Sequence, residues 1–301
     1  MALTLRNLHP LFAAEICGID LRLDVSPEVV ERVEAAMAEY ALVVLPDQHI
    51  DDAAQLAFSR KFGPLELPPH MGLRRAEPPR IDPALYDVSN VDKNGELLPA
   101  EHLKHASNRA NEEFHTDSSF NALPTKWSLL SARLVPATGG DTLFADTRAA
   151  YDALPAATRA KLDGCFAEHY FWKTRSRTGY VVTEEMERAM PPVAQPLVRV
   201  VPGSGRNALF IGAHATHILG WPREVGVALL DELNAFATQS RFIYRHRWRA
   251  GDLVIWDNRC TLHAATPYDR QREKRDMRRS TINEHGPEIS STDALGIPAP
   301  R

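Results

Sequence analysis

Two histidines and an aspartate are the side chains of this sequence best suited to act together: His115 and Asp117, two positions apart in FHTDSSF, and His263, far downstream in WDNRCTLH. Two imidazoles and one carboxylate cover one face of an octahedral metal ion and leave the opposite positions open, the ligand set that non-haem Fe(II) oxygenases need. In an extended segment, side chains two apart point to the same side, so one ion can meet both His115 and Asp117. Arg275 follows His263 by about twelve residues in RQREKRDMRR, and Arg279 comes four later. A guanidinium there could grip the carboxylate of a co-substrate through paired donors, which a lysine cannot reproduce.

Each piece has a plainer alternative. With 12 histidines and 39 acidic residues in 301, an acid two places after a histidine arises about once or twice by chance. His49-Ile50-Asp51 is such a pair, and there Asp51 is better explained as the acidic start of the helix DDAAQLAFSRKF. His214 and His217 in GAHATH compete for the third ligand position, since a spacing of three could place both on one side of a helix. On sequence order alone, His263 is the best of several candidates. The arginine-rich stretch could be a solvated surface.

The elements that must position these residues are partly legible. Ser26, Pro27 and Glu28 open a helix that runs to Tyr40, with an N-cap, a proline at the first helical position and an acid near the dipole's positive end. ALVVLP follows as a buried strand, and a second helix starts at Asp51 and Asp52 and stops at Gly63. Residues 64–111 carry prolines at 64, 68, 69, 78, 79, 83 and 99 and are expected to be a long irregular connection acting as a lid. From Trp127 onward short β-like segments dominate: WSLLSARLV, QPLVRVV, NALFIG, RFIYRHRW and DLVIWD, divided by turn signals such as PATGGD and PGSGR. The expected fold is mainly β with flanking helices, a double-sheet jelly roll (double-stranded β-helix) whose mouth can hold a small ligand. A length of 301 residues with 44% hydrophobic content fits one domain with insertions.

Charge and cysteine usage narrow the function classes. A formal charge of -4, from 35 basic and 39 acidic residues, gives no field to attract nucleic acid or an anionic membrane. Cys17, Cys165 and Cys260 are too few and too scattered for a disulfide framework, which fits a reducing compartment. No segment has the continuous apolar character of a signal peptide or a membrane span. The expectation is a cytoplasmic homo-oligomer acting on a small molecule.

FHTDSSF, GGDTLFADTRAAYDALP, GDLVIWDNRCTLH and RDMRR together resemble the TauD/TfdA family of Fe(II)/2-oxoglutarate dioxygenases, and the resemblance extends from NLHPLFAAEICGIDLR through AFSRKFGPLE to RRST. It implies iron held by His115, Asp117 and His263, with 2-oxoglutarate and O₂ as co-substrates. It further implies that Thr142 and Arg275 bind the 2-oxoglutarate carboxylate, and that Arg279 reaches the co-substrate or an anionic substrate. His49, His214 and His217 match no iron ligand of the family. The implied substrate is an aryloxyalkanoate, hydroxylated next to its ether oxygen to give a phenol and glyoxylate. Taurine, another alkylsulfonate or an alkylsulfate is the alternative within the family, and a metal-binding barrel without oxygenase activity is a distant one. Arg279 is the first choice for the substrate's carboxylate, with Lys93, Arg74 and Arg75 as further cations. His214 is a candidate pocket wall, Asn90 a candidate hydrogen-bonding group, and His70 a candidate sulfonate contact.

Overall fold

In the computed structural model, which describes residues 3–68, 80–179, 181–286 and 288–290, alternate apolar residues sort to opposite faces of one large sheet. Its strands lie in the order β1 (Thr4–Asn7), β2 (Ala14–Cys17), β3 (Leu42–Leu45), β14 (Leu253–Asp257), β6 (Thr125–Leu134), β16 (Asp276–Asn283), β4 (Leu65–Leu67) and β17 (Ile289–Ser290). A further strand, β5 (Tyr86–Ser89), pairs with β16. A second sheet is made of β13 (Ile243–His246), β7 (Thr142–Asp146) and β15 (Thr261–Ala265). Outside these lie the sheet of β12 (Ala215–Ile218), β8 (Phe166–His169) and β9 (Val193–Pro196), and the hairpin β10 (Val198–Val200) with β11 (Asn207–Leu209).

Val43, Leu45, Leu129, Leu253 and Ile255 pack with Val33, Met37, Leu56 and Phe58 of the helices Pro27–Tyr40 and Asp52–Arg60. Leu42, Val44, Leu130, Val254 and Trp256 turn the other way, onto Phe144 of β7 and Trp248. Strand side chains alternate faces, and both faces here are covered, which is why LVVL and LVIW show no alternation in the sequence. On the far side of the small sheet, Ala145 and Leu262 pack with Leu230 and Leu233 of the helix Arg223–Ala237. Two facing sheets with helices outside them make the expected jelly roll.

Local signals mark both helix starts, although Ser26 at the N-cap position of the first makes no side-chain capping hydrogen bond. Pro27 opens the first helix, and the Asp51 carboxylate accepts the Ala54 N–H at 2.8 Å as the cap of the second. Asp51 is thereby engaged, and His49 pairs with Asp47 at 3.0 Å instead.

Two expectations are corrected. The segment 64–111 is not irregular throughout: it contains β4, β5 and the helix Leu103–Ala110, and β5 is held in register from Ser89 opposite Asp276 to Tyr86 opposite Arg279. Pro64, Pro68, Pro83 and Pro99 fall between these elements, where a missing N–H costs nothing. His70, Arg74 and Arg75 lie outside the described residues. Nor do His214 and His217 share a helix face. Gly212 adopts a φ of +120° and the Ala213 N–H bonds the Phe114 carbonyl at 2.9 Å, so His214 sits in a turn and His217 on β12. Among the described residues no helix is long and apolar enough to cross a membrane.

Candidate active site

His115 and His263 exchange two backbone hydrogen bonds, at 3.0 and 2.8 Å. Residues paired directly opposite in this antiparallel way carry their side chains on the same face, and the two ring centroids are 4.2 Å apart. Asp117 follows at the start of a turn. One ligand atom from each of His115, Asp117 and His263 lies within 4.8 Å of the others, and all three residues are buried.

Each ligand is prepared by its neighbours. The His115 Nδ1–H donates to the Glu113 carbonyl at 2.8 Å, which leaves the Nε2 lone pair for an ion. Burial pushes the pKa of both His115 and His263 below the ordinary imidazole value, so both are in the neutral, ligating form. Burial works against ionising Asp117. Arg279, which pairs with it, the two imidazoles and the Ser128 hydroxyl at 2.7 Å outweigh that and hold its pKa at about 2. Asn258 ties the surroundings together: its carbonyl takes the Thr116 hydroxyl at 2.6 Å, its amide donates to Ser128 at 2.9 Å, and its side-chain oxygen accepts the Trp256 indole N–H at 2.9 Å. Two neutral imidazoles and an ionised carboxylate form a donor set that fits Fe(II).

The cavity beside the triad has two lobes that share His115 and Arg279. The first contains Thr142, Tyr268, Arg270 and Arg275. Arg275 is buried and makes no ion pair with a described acidic residue; among the described residues its side chain hydrogen-bonds the Val88 carbonyl, at 3.5 Å. Burial pushes its pKa down to about 10. A desolvated cation of this kind is costly unless a ligand supplies the counter-charge. Thr142 is primed from the other side: the Trp248 indole N–H donates to its oxygen at 2.9 Å, and because an indole only donates, the threonine hydrogen stays available. Arg275 and Arg279 share a face because they are four apart along the line of β16, a separation of about 13 Å.

The second lobe is lined by Phe120, Phe171 and His214, together with Glu66, Arg175 and Asp117. His214 stacks on Phe171 at 6.2 Å and meets Phe120 edge-on at 4.8 Å. Its pKa is pushed well down, by burial first and then by its neighbours His115 and Arg175. Arg279 lies over the Tyr86 ring at 4.3 Å. The Tyr86 hydroxyl bonds Glu66, which also accepts from Ser118 at 2.7 Å and Asn121 at 3.0 Å.

Of the expected substrate contacts, His214 and Arg279 line the second lobe, whereas Asn90 and Lys93 do not. Asn90 is fully buried, donating to the carbonyls of Arg270 and Glu273 at 2.9 and 2.8 Å and accepting the Arg275 N–H at 2.8 Å. Its carboxamide is spent on the loop that carries Arg275. Lys93 is exposed in the turn beyond Val91. Ser128, Asn258 and Arg175 were not singled out in the sequence for this site, and Trp248 read there only as a core or pocket-wall aromatic. Only Asn258, in WDN ahead of His263, had a local signal.

This combination of fold and site has counterparts among known proteins. The family profile described as "Taurine catabolism dioxygenase TauD, TfdA family" matches residues 4–281. The chain belongs to the TauD/TfdA dioxygenase family. This TauD/TfdA member is 45% identical over 285 residues to the α-ketoglutarate-dependent 2,4-dichlorophenoxyacetate dioxygenase of Cupriavidus pinatubonensis, covering 93% of this chain and 98% of that one. It is 36% identical over 288 residues to the (S)-phenoxypropionate/α-ketoglutarate dioxygenase of Sphingobium herbicidovorans, covering 93% and 95%. The crystal structure of AAD-2 in complex with Mn(II) and N-oxalylglycine superposes with a TM-score of 0.88 at 40% identity, covering 96% of this chain and 100% of that one. The protein is a dioxygenase that depends on 2-oxoglutarate (α-ketoglutarate), and its cofactor and co-substrates are Fe(II), 2-oxoglutarate and O₂.

Proposed function

We propose that this dioxygenase hydroxylates an aryloxyalkanoate such as 2,4-dichlorophenoxyacetate at the carbon beside its ether oxygen. One O₂ and one 2-oxoglutarate are consumed, and succinate and CO₂ are formed. The hydroxylated product is a hemiacetal and collapses to the phenol and glyoxylate. The 45% identity to a 2,4-dichlorophenoxyacetate dioxygenase over almost the full length of both chains carries this reading, and the phenoxypropionate relative supports the wider substrate class.

In this reading His115, Asp117 and His263 hold the iron, which together with 2-oxoglutarate supplies the oxidising chemistry when bound. Arg275 and Thr142 hold the remote carboxylate of 2-oxoglutarate, the first through paired charged donors and the second through its free hydroxyl hydrogen. Arg279 keeps Asp117 ionised and borders both lobes, so it can touch a ligand in either. Phe120, Phe171 and His214 enclose the aryl ring, exclude water and orient the carbon to be oxidised. Asn90 and Lys93 are left out of the substrate site. We also take the chain as one catalytic domain that works as a homo-oligomer in the cytoplasm on a diffusible acid, a state that light scattering and fractionation would test.

The deciding assay is succinate formation by Fe(II)-loaded protein with 2-oxoglutarate and O₂, in the presence of 2,4-dichlorophenoxyacetate, of taurine, or of neither. Succinate that depends on the aryloxy acid, matched by phenol and abolished in His115→Ala, is the expected result. Taurine-dependent succinate with sulfite would replace the substrate. No aryloxy acid-dependent turnover would overturn the reading.

A further inference from the structure

The two supports of Asp117, the turn that follows it and the guanidinium beside it, meet at one buried carboxylate. Glu66 lies on β4 with 3% of its surface exposed. Three donors from two other segments converge on its oxygens: the Tyr86 hydroxyl, the Ser118 hydroxyl at 2.7 Å and the Asn121 amide at 3.0 Å. We propose that Glu66 is a positioning residue for the metal centre, fixing both the turn that delivers Asp117 and the ring that seats Arg279. The inference rests on the reading of His115, Asp117 and His263 as the iron ligands.

The turn needs an outside hold. Ser118 follows Asp117 directly and has a φ of +55°, a left-handed conformation that residues with a side chain adopt only at a cost. The backbone of Asp117 has holds of its own, but they are long: its N–H meets the Asn258 side-chain oxygen at 3.3 Å, and its carbonyl accepts the Thr125 hydroxyl at 3.3 Å. The bonds to Glu66 are shorter and grip the turn at both ends, where the Asn121 N–H also closes it onto the Ser118 carbonyl at 3.0 Å.

The second support follows from strand register. Tyr86 stands directly opposite Arg279 of β16, and Glu66 stands opposite Thr281, two residues on. Residues opposite one another or two apart share a face, so Glu66, Tyr86 and Arg279 are neighbours on the side of the triad. The Tyr86 hydroxyl is tied to Glu66 while its ring lies 4.3 Å from the Arg279 guanidinium, and Arg279 pairs with Asp117. Glu66 spends both oxygens on scaffold donors, so it acts through Ser118 and Arg279 and not on the substrate.

The test is Mn(II) affinity, measured calorimetrically at a temperature where circular dichroism shows each variant folded, with the visible spectrum of the Co(II)-loaded protein as a report of ligand geometry. In Glu66→Gln the carboxamide nitrogen cannot accept a hydrogen bond, so at least one of the three donors loses its partner. Mn(II) binding should weaken by about 10-fold, the low end of the range for outer partners of a metal ligand because Glu66 acts through other residues, and the Co(II) bands should shift. Tyr86→Phe keeps the ring but frees it from Glu66, and Ser118→Ala unties the turn. Each should weaken Mn(II) by about 3-fold or more, and these two decide the matter if Glu66→Gln does not fold. A Glu66→Gln protein with a lower melting temperature but the wild-type Mn(II) affinity and Co(II) spectrum would make Glu66 a residue of the fold alone and overturn the proposal. Wild-type affinity in both Tyr86→Phe and Ser118→Ala would do the same. Those results leave the triad in place, whereas Mn(II) binding that is absent in wild type, or unchanged in His115→Ala, would overturn the triad reading and this inference with it.

Discussion

Arg275 shows how a single residue can be poor for the fold and good for the ligand. Its guanidinium is buried with no described acidic partner, and its pKa is down at about 10. The folded chain therefore bears the desolvation of a cation that only a bound anion repays. Replacing it with methionine, of similar reach but no charge, should weaken 2-oxoglutarate binding by about 10- to 100-fold, the range of a bidentate charged pair. The same variant without ligand should melt at an unchanged or higher temperature. Calorimetric titration and a melting curve on one preparation check both. A fall in melting temperature would mean that the guanidinium has a structural partner. The sequence indicated this residue through its distance from His263, whereas Trp248 read only as a core or pocket-wall aromatic, with no sign of the atom it would meet. The indole reaches the site through a hydrogen bond to Thr142, 106 residues away in sequence.

At the scale of elements, the triad and its arginines are held by strand pairing, and that explains which parts were legible in advance. The spacing of His115 and Asp117 and the run from Arg275 to Arg279 are local, so an extended backbone alone sets which side chains share a face. The candidate pair His214 and His217 failed because Gly212 and the Phe114 carbonyl impose a turn where spacing alone allowed a helix. The strand β5 was hidden among prolines, and its regularity comes from pairing with β16, far along the chain. Asn90, one residue beyond β5, read in the sequence either as a hydrogen-bonding group for a substrate or, more commonly for its type, as a turn asparagine. It is instead the clamp that fastens the loop 270–275 to the sheet. Asn90→Ala should leave two carbonyls and one N–H without this partner, costing about 1–3 kcal/mol for each that stays buried and dry. Its melting temperature and its 2-oxoglutarate affinity should fall together, in contrast to Arg275→Met, in which they part. An Asn90→Ala protein with normal 2-oxoglutarate affinity and a raised KM for the aryloxy acid would return Asn90 to the substrate site.

Across the whole molecule the same burial makes the fold sensitive to acid. His169, stacked on Phe210 at 5.5 Å, has its pKa driven down to about 3 by burial, and His115, His214 and His263 are depressed for the same first reason. Above the ordinary histidine pKa of about 6.5, folded and unfolded chains both hold these rings neutral and no stability is lost. Below it the unfolded chain binds protons that the folded chain refuses, so stability falls as pH falls, by up to about 1.4 kcal/mol per pH unit for each ring. Asp117 and Asp87, both held at about 2, act with the same sign lower down, because the unfolded chain protonates them first. The melting temperature of the metal-free protein should therefore fall steeply from pH 6.5 toward pH 4, and His169→Phe should flatten that slope by one ring's share. The variant isolates the effect because His169 is not among the proposed iron ligands. Melting curves at half-unit intervals of pH read the slope directly, and a His169→Phe profile parallel to wild type would show that His169 takes up its proton in the folded state. If the iron site is assembled as proposed, adding Mn(II) should reduce the remaining slope, because protons would then have to displace the metal from His115 and His263.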